Sequence, residues 1–267
     1  MISLMAPGRR QQETAGRLER GQLASAFDTA EQKRRYVLGV FGTIADRYDL
    51  ITRLLSFGLD QGWKRRLLRL TGVAQTDRLL DLACGTGDLA LLARAKGASA
   101  IGLDFTPRMI ELALRKPGSG HVAWLVGDMG DLPIADAAVT IVTTGYGLRN
   151  VPDLAAALAE AHRVLAAGGT LASLDFDRPE SAWLRQAYLA YLTVVGAALG
   201  WLLHGNPDAY RYIAASIRRY PGARAVAGML RTAGFASVDH VPVLGGLMAI
   251  HIARKSSSHT MTAHGRL

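Results

Sequence analysis

The run LLDLACGTGDL at 79–89 constrains this chain more than any other stretch. Residues 79–82 form a short apolar run followed by turn residues, as expected for a strand covered on both faces of a parallel sheet. Gly85 and Gly87 end it, and glycine lets a backbone reach positive φ and approach a ligand with no Cβ in the way. Asp88 and the apolar residues after it then open a helix. A strand that passes through a glycine-rich turn into a helix N-terminus is a cradle for a nucleotide-like ligand.

Two acids strengthen that reading. Asp81 sits on the strand just before the turn, and Asp104 ends a second apolar strand, 17 positions after Gly87. In doubly wound folds an acid at the second strand's end accepts hydrogen bonds from a ribose. The dinucleotide fingerprint wants a third glycine where this chain has Ala90, a residue that fingerprint tolerates, so the glycines alone leave NAD open. The acid-led D-x-A-C-G-T-G-D resembles the turn with which class I methyltransferases hold the amino-acid end of S-adenosylmethionine. That resemblance makes S-adenosylmethionine the expected cofactor, with Asp81, Gly85, Thr86 and Gly87 on it.

The rest of the chain alternates in the βα manner. A helical pattern covers 31–70 with a break near 56–58, and helix follows the glycine turn to about Lys96. Further strands are expected at 100–104, 122–126, 138–143 and 170–176, the last after a turn at 167–169. Thr106 is the expected N-cap of a helix beginning at Pro107, and Asp153 that of a helix over 154–165. Past a long helical stretch, a helix at 223–233 and two strands at 237–243 and 248–253 close the sheet. The expected fold is α/β: a doubly wound, Rossmann-like, seven-stranded and mostly parallel sheet, with N-terminal helices and a helical insertion between strands 5 and 6. One methyltransferase domain spans 31–255, including a helical lid or insertion at 177–222. Residues 1–30 are expected to be a flexible basic arm without the apolar core of a signal peptide, and 256–267 a disordered tail.

At 267 residues and 49% hydrophobic, the chain can bury a sizeable core. Its single cysteine, Cys84, has no internal disulfide partner, and no Cys/His spacing suggests zinc, which points to a reducing, cytoplasmic setting and no metal. The net charge of +9 gathers at Arg9-Arg10, at 33–35, at 64–66 and at Arg218-Arg219. Such clusters suit nucleic acid or an anionic membrane surface. No RNA-reading aromatic motif accompanies them, so nucleic acid is not the expected partner. The segment 187–203 carries no charge and includes Tyr188, Tyr191 and Trp201. It approaches transmembrane length, but a spanning helix between two strands of one sheet is not expected. It reads as a buried or lid helix, or as a greasy channel for an apolar tail, open to the inner face of the cytoplasmic membrane with basic clusters nearby.

A narrower resemblance rests on strings elsewhere. VFGTIADRYD (40–49), SFG (56–58), WKR (63–65), GLRNV (147–151), HRVL (162–165) and YRY (210–212) occur in this order in the ubiquinone/menaquinone biosynthesis C-methyltransferases. The similarity runs from about residue 37 to 255, and GLRN and YRY are its most specific parts. It implies methylation of a ring carbon of a prenylated quinol, either a demethylmenaquinol or a methoxy-polyprenyl-benzoquinol. Carried over by position, it places Gly85 and Thr86 on the cofactor's methionine part, Asp104 and Phe105 on its ribose side, Asp128 and Met129 at its adenine, and Gly145 nearby. It makes Arg149 the catalytic candidate, Asn150 a positioner of the ring oxygen and Tyr48 a lip closing over the site. Asp175 and Tyr210 are candidate proton acceptors beside the substrate, Tyr188 a substrate contact, and His204 a helix-end histidine or proton relay. Guanidinium stays protonated, so Arg149 is expected to stabilise phenolate charge and orient water rather than act as a base.

Several positions depart from the family pattern. Gly42, Thr52, Asp60-Gln61, Asp128 and Gly145 stand where aspartate, asparagine, histidine, asparagine and serine are usual. They leave the quinone unspecified. Two other readings therefore stay open: a methyltransferase of this fold on a different aromatic or lipidic small molecule, and a non-catalytic cofactor-binding assembly protein. A homodimer is compatible with all three.

Overall fold

The computed structural model describes residue 23 and residues 25–179, 181–204 and 208–257. Most of the expected arm and tail, and the side chain of His204, lie outside the described residues.

Five strands are parallel: β1 (Arg78–Leu82), β2 (Ser99–Asp104), β3 (Val122–Val126), β4 (Val139–Gly145) and β5 (Leu165–Phe176). β6 (Ser237–Val243) and β7 (Met248–Arg254) complete the sheet in the order β3-β2-β1-β4-β5-β7-β6. β7 runs antiparallel to both neighbours, so the closing hairpin folds inward and its second strand lies beside β5. The order reverses beside β1, whose neighbours are β2 and β4, and that switch point opens a crevice at the strands' C-terminal ends.

Successive strand residues point to opposite faces, and the apolar sequence fills both. Leu80 and Leu82 pack on one side with Val142, Leu158 and Leu230, while Leu79 packs on the other with Leu67, Ile141 and Ile250. Three helices precede the sheet: α1 (Ala30–Ile44), α2 (Tyr48–Leu55) and α3 (Asp60–Thr71). α4 (Asp88–Ala95), α5 (Pro107–Leu114) and α6 (Leu154–Val164) link its strands. Asp153 caps α6 by accepting from the Ala156 amide at 3.0 Å. Thr106 occupies the N-cap position of α5 without a side-chain capping bond, and its amide donates to the Asp104 carboxylate. The turn expected at 167–169 is absorbed as an irregularity of β5, which starts at Leu165 with a register shift opposite Val139 and Ile141.

The insertion forms α7 (Ala182–His204) and α8 (Asp208–Arg219), followed by α9 (Ala223–Thr232). α7 approaches α8 closely at Gly196, where a Cβ would lie 3.3 Å from that of Tyr210. Tyr36, Val40, Ile51, Tyr210 and Tyr212 form a separate apolar cluster that ties the N-terminal helices to the insertion. α7 is neither buried nor spanning: Leu192 is buried, whereas Trp183, Val194, Trp201 and Leu202 are exposed. Among the described residues no helix is long and apolar enough to cross a membrane.

Candidate active site

After β1 the backbone takes positive φ at Ala83, Gly85 and Gly87. A non-glycine residue in this region costs about 1–2 kcal/mol, and such strain gathers at functional sites. The turn bounds a solvent-open cavity, with about 680 Å³ of empty space counting its mouth, at the ends of β1, β2 and β4. Gly85, Asp104, Phe105, Asp128, Met129 and Gly145 line it, six of the residues expected there. Val37 and Phe41 of α1 also line it.

Asp104 organises the floor. Its two carboxylate oxygens accept from the amides of Gly85 and Thr106, each at 2.8 Å. Burial pushes its pKa up, and the amides of Thr106 and Gly85 act against that. Its remaining lone pairs can accept from hydroxyl groups in the cavity. Asp128 folds back onto the Gly130 amide at 2.9 Å and pairs with Arg34 of α1 at 3.3 Å.

Three expected cofactor residues do not line this cavity. Thr86 is buried, and its hydroxyl is engaged by Asp49 and by Lys116. Gly87 is covered by the Trp124 ring, which would collide with any Cβ at that position. Asp81 lies below the floor, where its Oδ1 accepts from Thr143 at 2.8 Å and its buried Oδ2 has no partner. Burial pushes Asp81 up to about 7, with Thr143 opposing. A buried acceptor lacking a donor suits a site that receives a cation, and the glycine turn leaves the cavity open above it. The amino-acid end of S-adenosylmethionine fits both features.

An ion network, buried at Lys64 and Asp60 and exposed at Asp49, holds the turn from behind. Lys64 of α3 reaches Asp88 at 2.7 Å and Asp60 at 3.2 Å, and Lys116 reaches Asp88 and Asp49 at 2.8 Å each. Burial opposes the charge on Asp88, yet Lys64 and Lys116 hold its carboxyl well below the usual carboxylate range. The network joins α2, α3, α4 and the residues after α5, so the helices over the site are fastened to the glycine turn.

A second cavity of about 660 Å³ shares Phe41, Tyr48 and Tyr146 with the first. Its lining includes Arg149, Ile51, Phe176, Tyr188, Leu192 and Tyr212, an apolar surface with few polar groups. Tyr48 stands at the partition, its ring 6.0 Å from that of Phe41. Burial pushes the Tyr48 phenol up, despite Lys64 and Arg149.

Arg149 is 8% exposed and fixed from two sides. Its Nη1 donates to the Tyr146 carbonyl at 2.7 Å and lies 3.3 Å from Asp175, while Nε is buried without a partner. The guanidinium also lies over the Phe176 ring, 4.8 Å from its centroid. Asn150 lines the first cavity; its Nδ2 donates to the same Tyr146 carbonyl at 2.9 Å and its Oδ1 accepts from the Tyr212 hydroxyl at 3.2 Å. Tyr188 lines the second cavity, and burial pushes its phenol up to about 12.

Asp175 and Tyr210, expected beside the substrate, line neither cavity. Asp175 sits behind Arg149 as its counter-ion, and Tyr210 is wholly buried in the cluster between α1 and α8. Tyr146 and Tyr212 do line the second cavity and were not expected there. Tyr212 was visible in the YRY string, and Tyr146 directly precedes the glycine of GLRN.

A parallel sheet reversing at β1, a glycine turn beneath an acid-floored cavity and a second cavity across its partition define a class I methyltransferase. The solved structures agree on the fold. A SAM-dependent methyltransferase from Thermotoga maritima superposes with TM-score 0.60 at 20% identity, covering 82% of this chain and all of that one. One from Aquifex aeolicus gives 0.52 at 17% identity over 72% and 88% of the two chains. The chain belongs to the ubiE/COQ5 methyltransferase family, whose model matches residues 28–255. It is 43% identical to the demethylmenaquinone methyltransferase of Thermus thermophilus, over 80% of this chain and 98% of that protein. It is 37% identical to the ubiquinone/menaquinone biosynthesis C-methyltransferase UbiE of Rubrivivax gelatinosus, over 88% and 92%. It is therefore an S-adenosylmethionine-dependent methyltransferase, using the cofactor expected from the acid-led glycine turn at 81–88.

Proposed function

We propose that this enzyme methylates a ring carbon of a prenylated quinol, the reaction class carried by the names of its relatives. One observation carries the reading: an apolar cavity with one fixed cation, Arg149, abuts the cofactor cavity across Tyr48 and Tyr146. A flat apolar ring with an ionisable oxygen fits that space, whereas a charged amine does not.

Bound S-adenosylmethionine supplies an electrophilic methyl group on a sulfonium. The chain's own residues would hold the cofactor through Gly85, Asp104, Phe105 and Asp128, above Asp81, whose Oδ1 is taken by Thr143. Arg149 would stabilise the negative oxygen that makes the adjacent ring carbon nucleophilic, through the Nε that no protein group occupies. Asn150, tied to Tyr146 and Tyr212, would fix the position of Arg149's turn. Transfer would form a carbon–carbon bond as the methyl's bond to sulfur breaks, its electron pair staying on the departing neutral thioether, and the ring carbon would then give up its proton. Asp175 and Tyr210 stand outside both cavities, so a water ordered by Arg149 is the acceptor this reading assigns.

The prenyl tail needs an exit. Exposed Phe57 stacks on Tyr191 at 5.3 Å, Tyr191 on Tyr188 at 6.2 Å, and Tyr188 lines the second cavity. This file of rings leads to the surface at exposed Phe57, which we assign to transient contact with an anionic membrane. Binding to anionic vesicles should weaken as salt rises, and partition indifferent to vesicles would remove this part.

The deciding assay offers labelled S-adenosylmethionine with demethylmenaquinol, demethyl-benzoquinol and unrelated phenols side by side. Transfer to at least one quinol is expected. Transfer to phenols but to neither quinol would favour a different aromatic substrate, and transfer to nothing an assembly role.

A further inference from the structure

Tyr146 is held in a costly arrangement that the scheme above does not use. It adopts φ 62°, a left-handed conformation that a bulky residue rarely takes. Its amide donates to the Leu174 carbonyl at 2.7 Å and its carbonyl receives Arg149 and Asn150, so the backbone is held from both sides. Its ring lies under the Lys64 ammonium, 5.9 Å from the centroid, and 6.1 Å from the Phe176 ring.

The hydroxyl is buried and has no partner. Burial pushes its pKa well above that of free tyrosine, with Asp60, Tyr48 and Asp175 adding to the effect and Arg149 opposing it, so it stays a protonated donor. Leaving a buried hydroxyl unmatched is destabilising, and phenylalanine would fill the same space without that cost. Among the described residues Asp81, Thr144, Arg149 and Tyr220 also carry an unmatched buried polar atom. Of these five, only Tyr146 and Arg149 line the second cavity. Phe176 packs against both of them. Two residues that each carry an unmatched buried donor thus line one apolar chamber, and Tyr146 borders the cofactor cavity as well.

We propose that the Tyr146 hydroxyl donates a hydrogen bond to the second ring oxygen of the substrate, while Arg149 Nε takes the first. This rests on the quinol reading and sharpens it. A ring with two oxygens satisfies both donors, whereas a monohydroxy ring leaves Tyr146 unmatched. Tyr146 therefore selects dihydroxy over monohydroxy rings, and sets the ring's rotation so that the carbon beside the first oxygen faces the cofactor cavity.

The test compares the wild-type enzyme with Tyr146→Phe on demethylmenaquinol and on its monohydroxy analogue, which lacks the second ring oxygen. The variant should lose on the order of tenfold in kcat/KM on the quinol and stay within about twofold on the monohydroxy ring. Its melting temperature should stay level or rise, because an unmatched buried hydroxyl is gone. A parallel loss on both substrates would mean that Tyr146 only supports the fold, and no loss on either would mean that its hydroxyl touches nothing; both outcomes overturn the proposal. Wild-type transfer to the monohydroxy ring but not to the quinol would instead overturn the quinol reading, and with it the proposal.

Discussion

Arg149 and Asp175 are joined twice: the Asp175 carboxylate accepts from the backbone amide of Arg149 at 3.2 Å and faces its Nη1 at 3.3 Å, with both side chains buried. One carboxylate thus fixes both the turn that carries the arginine and the direction of its guanidinium. Burial raises the Asp175 pKa while Arg149 pulls it down, which makes the pair interdependent. Asp175→Asn should strand a buried cation and destabilise the protein by about 3–5 kcal/mol. Arg149→Lys keeps the charge but loses the planar fork that bonds Tyr146 with Nη1 while leaving Nε free. It should slow methyl transfer by about 100-fold or more with little change in melting temperature. Single-turnover rates and thermal unfolding measure both variants; full activity in Arg149→Lys would rule out stabilisation of the oxyanion through Nε of the planar fork.

Asp81 makes a prediction of the opposite kind. Its folded pKa is pushed up to about 7, above the value near 3.8 expected for an unfolded chain. The folded state then holds a proton that the unfolded chain releases, so this group's contribution to stability falls as pH rises from about 4 to 7 and is level above that. Asp81→Asn should raise the melting temperature at pH 8 and change it little at pH 4. If the carboxylate faces the cofactor's cationic end, the same variant binds S-adenosylmethionine at least tenfold more weakly at pH 8. Calorimetric melting and binding at the two pH values separate these effects, and an unchanged affinity would remove Asp81 from the cofactor site.

Lys116 touches Asp49, Thr86 and Asp88, although it lines neither cavity. Lys116→Met should leave Asp49 and Asp88 short of a cation and loosen the turn. Stability should fall by about 1–3 kcal/mol, and the product S-adenosylhomocysteine should bind several-fold more weakly. The KM for the quinol should hold steady. A quinol KM that rises as much as the cofactor Kd would place the network's influence on the wrong cavity.

The cofactor half of the site was legible because it is local. Asp104 and Gly145 end parallel strands and Gly85 and Asp128 follow them, and that topology delivers strand ends to one crevice. What local pattern did not reveal was the side of the turn that each residue faces. Thr86 and Gly87 are directed away from the cavity by Asp49, Lys116 and Trp124, all distant in sequence. The substrate half depends on helix rotation. Tyr210 and Tyr212 lie two apart on α8 and so face different directions. The string showed a tyrosine site, and packing against α1 chose Tyr212. Tyr146 was hidden for another reason, since a positive φ at an aromatic residue cannot be read from its neighbours.

The last prediction concerns the helix that covers the cofactor cavity. Arg34 of α1 pairs with Asp128 at 3.3 Å, and its guanidinium lies 5.6 Å from the Phe105 ring centroid. The Arg34 side chain is 49% exposed, so solvent screens the pair and its worth is about 0–1 kcal/mol. Such a contact suits a latch that must open to exchange cofactor for product, because a stronger one would hold the product in. Arg34→Ala should therefore leave the melting temperature nearly unchanged and speed release of S-adenosylhomocysteine several-fold. Raising salt should speed release from the wild-type enzyme and have less effect on the variant. Stopped-flow displacement of the product measures the off-rate directly, and an off-rate indifferent to both the substitution and salt would show that α1 does not gate the cavity through this pair.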